Sequence, residues 1–378
     1  MAGQPVGEHP TARCPRCSGA RLVNSATGRL MCKDCLRSFN SPERDAKLAQ
    51  ARQTYAIPDG QRVKAVSTLV DLRTGTPMLE WVKTDEDKAR QDAMQRAALA
   101  ALAEKLPREK ARPAPARTVD DLLNCYVVTD YHLGMLAWHE ETGADWDTDI
   151  AEAMLVDWFA AAIAQSPAAG TGVFAQLGDF IHWDGMDAVT PASKHLLDAD
   201  TRFQKLVRVA IRVIRRVIGM LLAKHARVLV VCAEGNHDPA SSIWLREWLA
   251  AVYENEPRVS VDRSPDPYYC VEHGDTALFF HHGHKRKPAD VDTVFAAKFR
   301  EVFGRTKHAY AHLGHLHHID QKETNLMVVE QHRTLAAPDA YASRGGWMSG
   351  RDACVITYSR RFGEVGRVRV SSKMLGAA

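Results

Sequence analysis

Cys125-Tyr126-Val127-Val128-Thr129-Asp130-Tyr131-His132 is an apolar, β-branched run that ends on a carboxylate and an imidazole. The run predicts a strand, and its polar end predicts a loop at the strand's C-terminal edge. Four further runs end in the same manner. Val173–Leu177 precedes Gly178-Asp179, and Val228–Ala233 precedes Gly235-Asn236-His237-Asp238. Ala277–Phe280 precedes His282-Gly283, and His308–Leu313 precedes Gly314-His315-Leu316-His317. Helical patterns fall between them, at about 148–165, 200–225, 241–254 and 290–303. The alternation predicts an α/β domain that carries its chemistry on loops at strand ends. Leu326–Val329 and Ala353–Tyr358 read as further strands that could complete a second sheet.

The five clusters supply two carboxylates, one carboxamide and several imidazoles, the ligand inventory of a two-metal hydrolase. Asp130 and His132 are two apart, so extended backbone would aim both at one ion. The pair His315 and His317 repeats that spacing. Asp179 can bridge two ions through its two oxygens, and Asn236 offers a neutral carbonyl oxygen. His281 and His284 flank His282, so the residues alone leave the ligand there a choice among neighbours. His312 and His318 are not assigned as ligands.

The ordered set D-x-H, G-D, G-N-H-D, H-G, G-H-x-H resembles the calcineurin-like metallophosphoesterase superfamily over about residues 120–320. Thr129-Asp130-Tyr131-His132-Leu133-Gly134 and Leu313-Gly314-His315-Leu316-His317 are similar to its SbcD-type DNA-repair nuclease branch. The resemblance implies a metallophosphoesterase β-sandwich flanked by helices, of phage-like or prophage-like provenance. It implies one metal held by Asp130, His132, Asp179 and His317, and another by Asp179, Asn236, His282 and His315, with His282 preferred to its neighbours because it directly precedes Gly283. Asp179 bridges, a hydroxide shared by the metals attacks phosphorus, His237 protonates the leaving oxygen, and Asp238 orients His237. Two departures bear on this branch. About 120 residues precede the first motif, and 61 follow His317, too few for the branch's full cap.

Two divalent ions, two aspartates and a hydroxide would leave about +1 at the site, which favours a phosphate anion. Four imidazoles among seven ligands suit Mn²⁺, with Fe²⁺ or Zn²⁺ as alternatives, better than Mg²⁺. Lys285, Arg286 and Lys287 follow the His282 loop and could hold a phosphate backbone or simply be solvated. His182, His284 and Asp184 could face substrate, with loop packing an equal account for His182 and Asp184. The basic stripe Arg202, Lys205, Arg208, Arg212, Arg215 and Arg216 reads as the solvated face of a helix, or less readily as a phosphate track.

Cys14-Pro15-Arg16-Cys17 and Cys32-Lys33-Asp34-Cys35 flank fourteen residues. That spacing predicts a four-cysteine zinc ribbon over 1–40, with a structural Zn²⁺ supplying most of its stability. Residues 1–56 carry nine Lys/Arg against four Asp/Glu, so the ribbon fits nucleic acid or a protein partner. A hairpin (Val63–Asp71 with Met78–Lys83), a helix at 85–105 and a Pro-rich linker at Pro107–Arg117 fill 41–117, leaving 118–378 as the catalytic domain. Cys125, Cys232, Cys270 and Cys354 read as buried small hydrophobes.

At net charge +3 the whole chain is no polycation, so nucleic-acid contact must rest on local patches. No apolar leader or membrane span is visible, and a cytoplasmic location follows by default. The substrate stays open between DNA, the favoured reading, and a small phosphoester with the ribbon as an appendage. A binding module with a degenerate metal site is disfavoured by the complete ligand set.

Overall fold

The computed structural model describes residues 13–18, 22–24, 29–35, 38–40, 45–46, 48–50, 61–71, 77–86 and 108–376. The chain divides into two compact units, Met1–Met94 and Gln95–Ala378.

In the first unit, β1 (Leu22–Asn24), β2 (Arg29–Cys32) and β3 (Ser38–Asn40) form an antiparallel sheet in sequence order. Strands β4 (Gln61–Val70) and β5 (Pro77–Glu86) form the antiparallel hairpin anticipated there. Residues 85 and 86 close β5 rather than open a helix, and the remainder of the expected 85–105 helix lies outside the described residues.

The second unit contains β6 (Val119–Val128), α1 (His139–Thr142), α2 (Thr148–Gln165), β7 (Ala169–Gln176), α3 (Phe203–Lys224), β8 (Arg227–Cys232) and α4 (Pro239–Val252). Next come β9 (Val259–Val261), β10 (Tyr269–His273), β11 (Thr276–His281), α5 (Val291–Lys298), α6 (Arg300–Arg305) and β12 (His308–Leu313). It ends with β13 (Asp320–Glu323), β14 (Val328–Gln331), α7 (Ala340–Gly345), β15 (Asp352–Ser359) and β16 (Gly363–Ser371). The first sheet runs β16-β15-β6-β7-β8-β9, parallel from β6 to β9. The second runs β10-β11-β12-β14-β13, parallel from β11 to β14. The tail thus divides: β14 joins the second sheet, while β15 pairs with β6 in the first.

Period-two alternation builds the sandwich. Cys125 and Val127 of β6 face inward, where Val173, Val231, Leu278, Phe280 and Ile356 form the core between the sheets. Tyr126 and Val128 face outward onto the helical layer, with Leu155, Phe159, Ile214, Leu221 and Leu249. On the far side, Phe279, Ala311 and Val329 of the second sheet pack on Val291 and Phe295 of α5. The result is a β-sandwich flanked by helices.

Helix α3 shows why its basic stripe is not a phosphate track along its whole length: Arg212 pairs with Glu152, and Arg215 with Glu109. The Pro-rich segment also lies on this unit, since Glu109 N–H donates to the Val252 carbonyl (2.9 Å) and Arg112 N–H to Glu256 (2.7 Å). Among the described residues, no helix is long and apolar enough to cross a membrane.

Candidate metal centre

Every loop that carries a candidate ligand leaves the C-terminal end of a parallel strand. The first two loops zip together through backbone bonds, Asp130 N–H to Gly178 O (3.0 Å), His132 N–H to Asp179 O (3.0 Å) and Leu133 N–H to Phe180 O (2.9 Å). This corrects the extended backbone anticipated for Asp130 and His132. Both adopt left-handed φ, 50° and 47°, as do Asp179 (52°), His315 (77°) and His317 (57°). Non-glycine residues avoid that region at a cost of roughly 1–3 kcal/mol each. The strain gathers on the residues whose side chains converge.

Side-chain donor atoms of Asp130, Asp179, His282 and His315 lie within 4.8 Å of one another, and those of Asp130, His132 and His317 do likewise. Asp130 is common to both groups, the place the resemblance gave to Asp179. His317 Nε2 is 3.1 Å from Asp130 Oδ1. His282 Nε2 lies 3.2 Å from Asp179 Oδ2 and 3.0 Å from Asn236 Oδ1.

His282 decides what this cluster accepts. Its Nδ1–H donates to the Leu177 carbonyl at 2.9 Å, so a neutral ring turns a lone pair at Nε2 toward carboxylate and carboxamide oxygens. Acceptors facing acceptors need a positive charge between them, either a proton or a metal ion. Burial opposes the proton, but the Asp179 and Asp130 carboxylates outweigh it and push His282 up to about 10. Burial likewise works against charge on Asp130, yet the His317 and His282 imidazoles hold it well below the carboxylate range. Burial holds His132 well below the usual imidazole range and lowers His315, both toward the neutral state a ligand needs. Carboxylate, carboxamide and neutral imidazole together fit a divalent transition metal.

His237 stands beside the cluster, its ring 4.8 Å from that of His132. Its backbone N–H donates to Asp179 Oδ1 (2.7 Å), and its Nδ1–H to the His182 carbonyl (2.8 Å). Asp238 does not perform the orienting role anticipated for it. Its carboxylate receives the backbone N–H groups of Asp179 (3.1 Å), Phe180 (2.7 Å), Ile181 (3.3 Å) and Gly235 (3.1 Å), and so holds the Asp179 loop in place.

His182 is buried, its Nδ1 3.2 Å from that of His132 and its ring stacked on His237. Asp184 accepts from Ala240 N–H, Ser241 N–H and Ser241 Oγ, which caps α4. His284 is half-buried, its ring 5.2 Å from that of His282, whereas His281 stacks on Tyr268. Lys285 is tied to Glu234 (2.7 Å), and Arg286 and Lys287 are exposed. His312 is buried between Tyr358 and His332, and His318 is exposed.

The motifs do not disclose the residues that brace Asp130. Thr129 Oγ1 donates to Asp130 Oδ2 (2.5 Å), and Thr334 Oγ1 to the Asp130 carbonyl (2.6 Å). Adjacency hints at Thr129, but nothing local hints at Thr334. Gly314 is required by closeness, since a Cβ there would overlap Thr129 and stand 2.6 Å from Asp130 Oδ2.

In the first unit, Cys14 Sγ lies 3.6 Å from Cys35 Sγ, and Cys17 Sγ 3.6 Å from Cys32 Sγ, with all four within 4.8 Å. Four thiolates about 2.3 Å from a tetrahedral zinc stand about 3.8 Å apart, so the cluster fits that ion. Backbone N–H groups of Arg16 and Cys17 lower Cys14 to about 7, which favours the ligating thiolate. Cys14→Ser is expected to release zinc from the first unit and lose its ordered structure, while hydrolysis of a small ester by the second unit changes less than about twofold. Zinc release to a colorimetric chelator, read beside ester hydrolysis, checks both halves.

No protein-family profile matches the chain, and no curated relative does. Among solved structures it is similar to a conserved uncharacterized protein, a predicted phosphoesterase, from Streptococcus pneumoniae: 12% identity over 68% of this chain and 99% of that one, TM-score 0.26. A novel archaeal phosphodiesterase is 13% identical over 66% of this chain and 99% of its own, TM-score 0.34. Vps29 from Entamoeba histolytica, complexed with zinc, is 11% identical over 66% and 99%, TM-score 0.28.

Proposed function

We propose that this protein hydrolyses phosphodiester bonds in nucleic acid, with DNA as the favoured substrate, using two divalent metals. Mn²⁺ is the proposed ion, with Fe²⁺ or Zn²⁺ as alternatives. The observation that carries the reading is the cluster around Asp130, in which acceptor atoms converge and His237 is bonded to the same Asp179 that faces His282. When bound, divalent cations supply Lewis-acid stabilisation of phosphate oxygens and lower the pKa of water at the site.

The chain's own residues do the rest. Asp130, His132, Asp179, Asn236, His282, His315 and His317 hold the ions. The His182 carbonyl accepts a hydrogen bond from His237 Nδ1–H and fixes its ring, which leaves Nε2 to give a proton to the leaving oxygen. Asp238 keeps the Asp179 loop from drifting. Arg286 and Lys287, exposed beside the His282 loop, meet the phosphate backbone, as does the basic N-terminal unit.

The pairing of Lys285 with Glu234, and of Arg212 and Arg215 with carboxylates, favours the second reading, a small phosphoester substrate. One assay separates the two. The Mn²⁺-loaded protein is offered linear duplex DNA, single strands, a phosphodiester dye and a phosphomonoester dye. Cleavage of DNA and of the diester dye is expected, and action on the monoester alone would falsify the nuclease reading. In the same assay His237→Ala is expected to lose about 10²–10⁴-fold in turnover while keeping its metals by elemental analysis. Loss of metal along with turnover would contradict the acid's role.

A further inference from the structure

Trp138, Tyr341 and Trp347 are more than half exposed, at 55%, 71% and 59%, on two short helices that pack together. Trp138 caps α1, and α7 is bonded to α1 through Ser343 Oγ to the Glu141 carbonyl (2.7 Å) and Arg344 to Glu141 (2.7 Å). The aromatic pair is built rather than loose. Asp339 caps α7 by accepting from Ala342 N–H at 2.7 Å. Gly346, at φ 72°, reverses the chain, so that Trp347 N–H returns to the Ala342 carbonyl at 3.1 Å. The Trp347 ring then lies over Gly345, where a Cβ would stand 3.0 Å from it, with its centroid 5.1 Å from that of Tyr341.

Both helices grow from the metal centre. Trp138 follows His132 by six residues, a reach of at most about 20 Å. Tyr341 follows Thr334, which is bonded to Asp130, by seven residues, or at most about 25 Å. A stacked strand advances about 3.4 Å per nucleotide, so the patch lies within about seven nucleotides of the site. Arg344 lies on the same helix, its guanidinium paired with Glu141 at 2.7 Å, which ties the two helices together without adding net charge.

Solvent-facing aromatic rings held in place by their backbone hold unpaired bases by stacking, whatever the base. We infer that Trp138, Tyr341 and Trp347 form a stacking platform for an unpaired strand whose phosphodiester lies at the metal centre. This rests on the nucleic-acid reading above and narrows its substrate to single-stranded DNA or RNA, or to an unpaired end.

The test uses the full chain and a fluorescent, phosphorothioate-protected strand of about a dozen nucleotides, within the span such sites cover. Anisotropy is expected to show that Tyr341→Ala with Trp347→Ala weakens strand binding about tenfold or more, while Tyr341→Phe with Trp347→Phe stays within about threefold. The ratio of strand cleavage to diester-dye hydrolysis falls by the same factor as the binding. Unaltered strand affinity in the alanine pair overturns the platform. So does loss of a dimer by light scattering with strand affinity retained, which would make the face a contact between copies. If the wild-type protein hydrolyses the diester dye but binds no strand, the nucleic-acid reading has itself failed, a result distinct from either.

Discussion

Asp179→Ala is expected to reduce diester hydrolysis at least about 10⁴-fold. The expectation follows from how many tasks meet on one carboxylate. One oxygen faces His282 at 3.2 Å and the other receives the His237 backbone N–H at 2.7 Å. Removing it takes a proposed charged ligand from the centre and the anchor from the proposed acid, His237, in one step. The acid alone accounts for about 10²–10⁴-fold, and losing an ion adds to that. Metal content by elemental analysis should fall together with the rate, which distinguishes Asp179→Ala from His237→Ala, where metal stays. Asp238→Asn is the informative companion. It leaves every proposed ligand in place but weakens four backbone bonds to the Asp179 loop and the Gly235 turn. A smaller loss is expected there, on the order of 10–100-fold, as for residues that orient ligands. If Asp179→Ala keeps turnover within tenfold of wild type, the assignment of the centre is wrong.

The residues that bring chemistry are legible because their types are rare in apolar strand ends. Five β-branched runs that stop at Asp, His or Asn announce both the parallel strands and the loops that follow. The route by which the side chains meet is not legible. Two residues of spacing suggested alternation, yet Asp130, His132, His315 and His317 sit in left-handed backbone. That conformation is held by loop-to-loop bonds such as His132 N–H to Asp179 O, and the weak left-handed preference of Asp and His does not by itself specify it. The role of Asp238 was hidden for a similar reason, because neighbourhood in sequence pointed to His237 while the fold delivers the Asp179 loop. Strands β13 and β16 escape a hydrophobic pattern because they are edges. Asp320–Glu323 is exposed throughout, and Arg367 and Arg369 of β16 turn toward the buried carboxylates Glu330 of β14 and Asp352 of β15. The expected helix at 290–303 is broken at Phe299, whose backbone (φ −107°, ψ 41°) leaves the helical region between α5 and α6.

Acid is expected to unfold the second unit between pH 6.5 and about 4, through buried histidines outside the proposed ligand set. His225 is bonded to Tyr126 Oη (2.9 Å) and the Ala169 carbonyl (2.8 Å), and burial lowers it to about 4. His312 and His332 form a buried chain. Tyr358 O–H donates to His312 Nε2 (3.0 Å), and His312 Nδ1–H to His332 Nε2 (2.9 Å). His332 Nδ1–H then faces Cys354 Sγ at 3.5 Å and Glu330 at 3.7 Å. Each ring is satisfied only while neutral, and burial lowers His312 to about 3 and His332 to about 4. The unfolded chain takes these protons near pH 6.5 and the folded one does not, so stability is full above 6.5 and falls as pH drops toward the folded values. Each histidine then withdraws about 3 kcal/mol by pH 4, and the three together on the order of 10 kcal/mol, comparable to the whole stability of a domain. Glu330 is not the cause. Burial opposes its charge, but His332 and the Arg367 pair hold it near 2, so its contribution persists until well below this window. Urea unfolding at a series of pH values tests the account. Replacing His312 and His332 with leucine should reduce the slope of stability against pH by about two protons, or about 2.7 kcal/mol per pH unit, between pH 6 and 4.5. A slope that does not change would place acid sensitivity elsewhere, in the imidazoles of the metal centre.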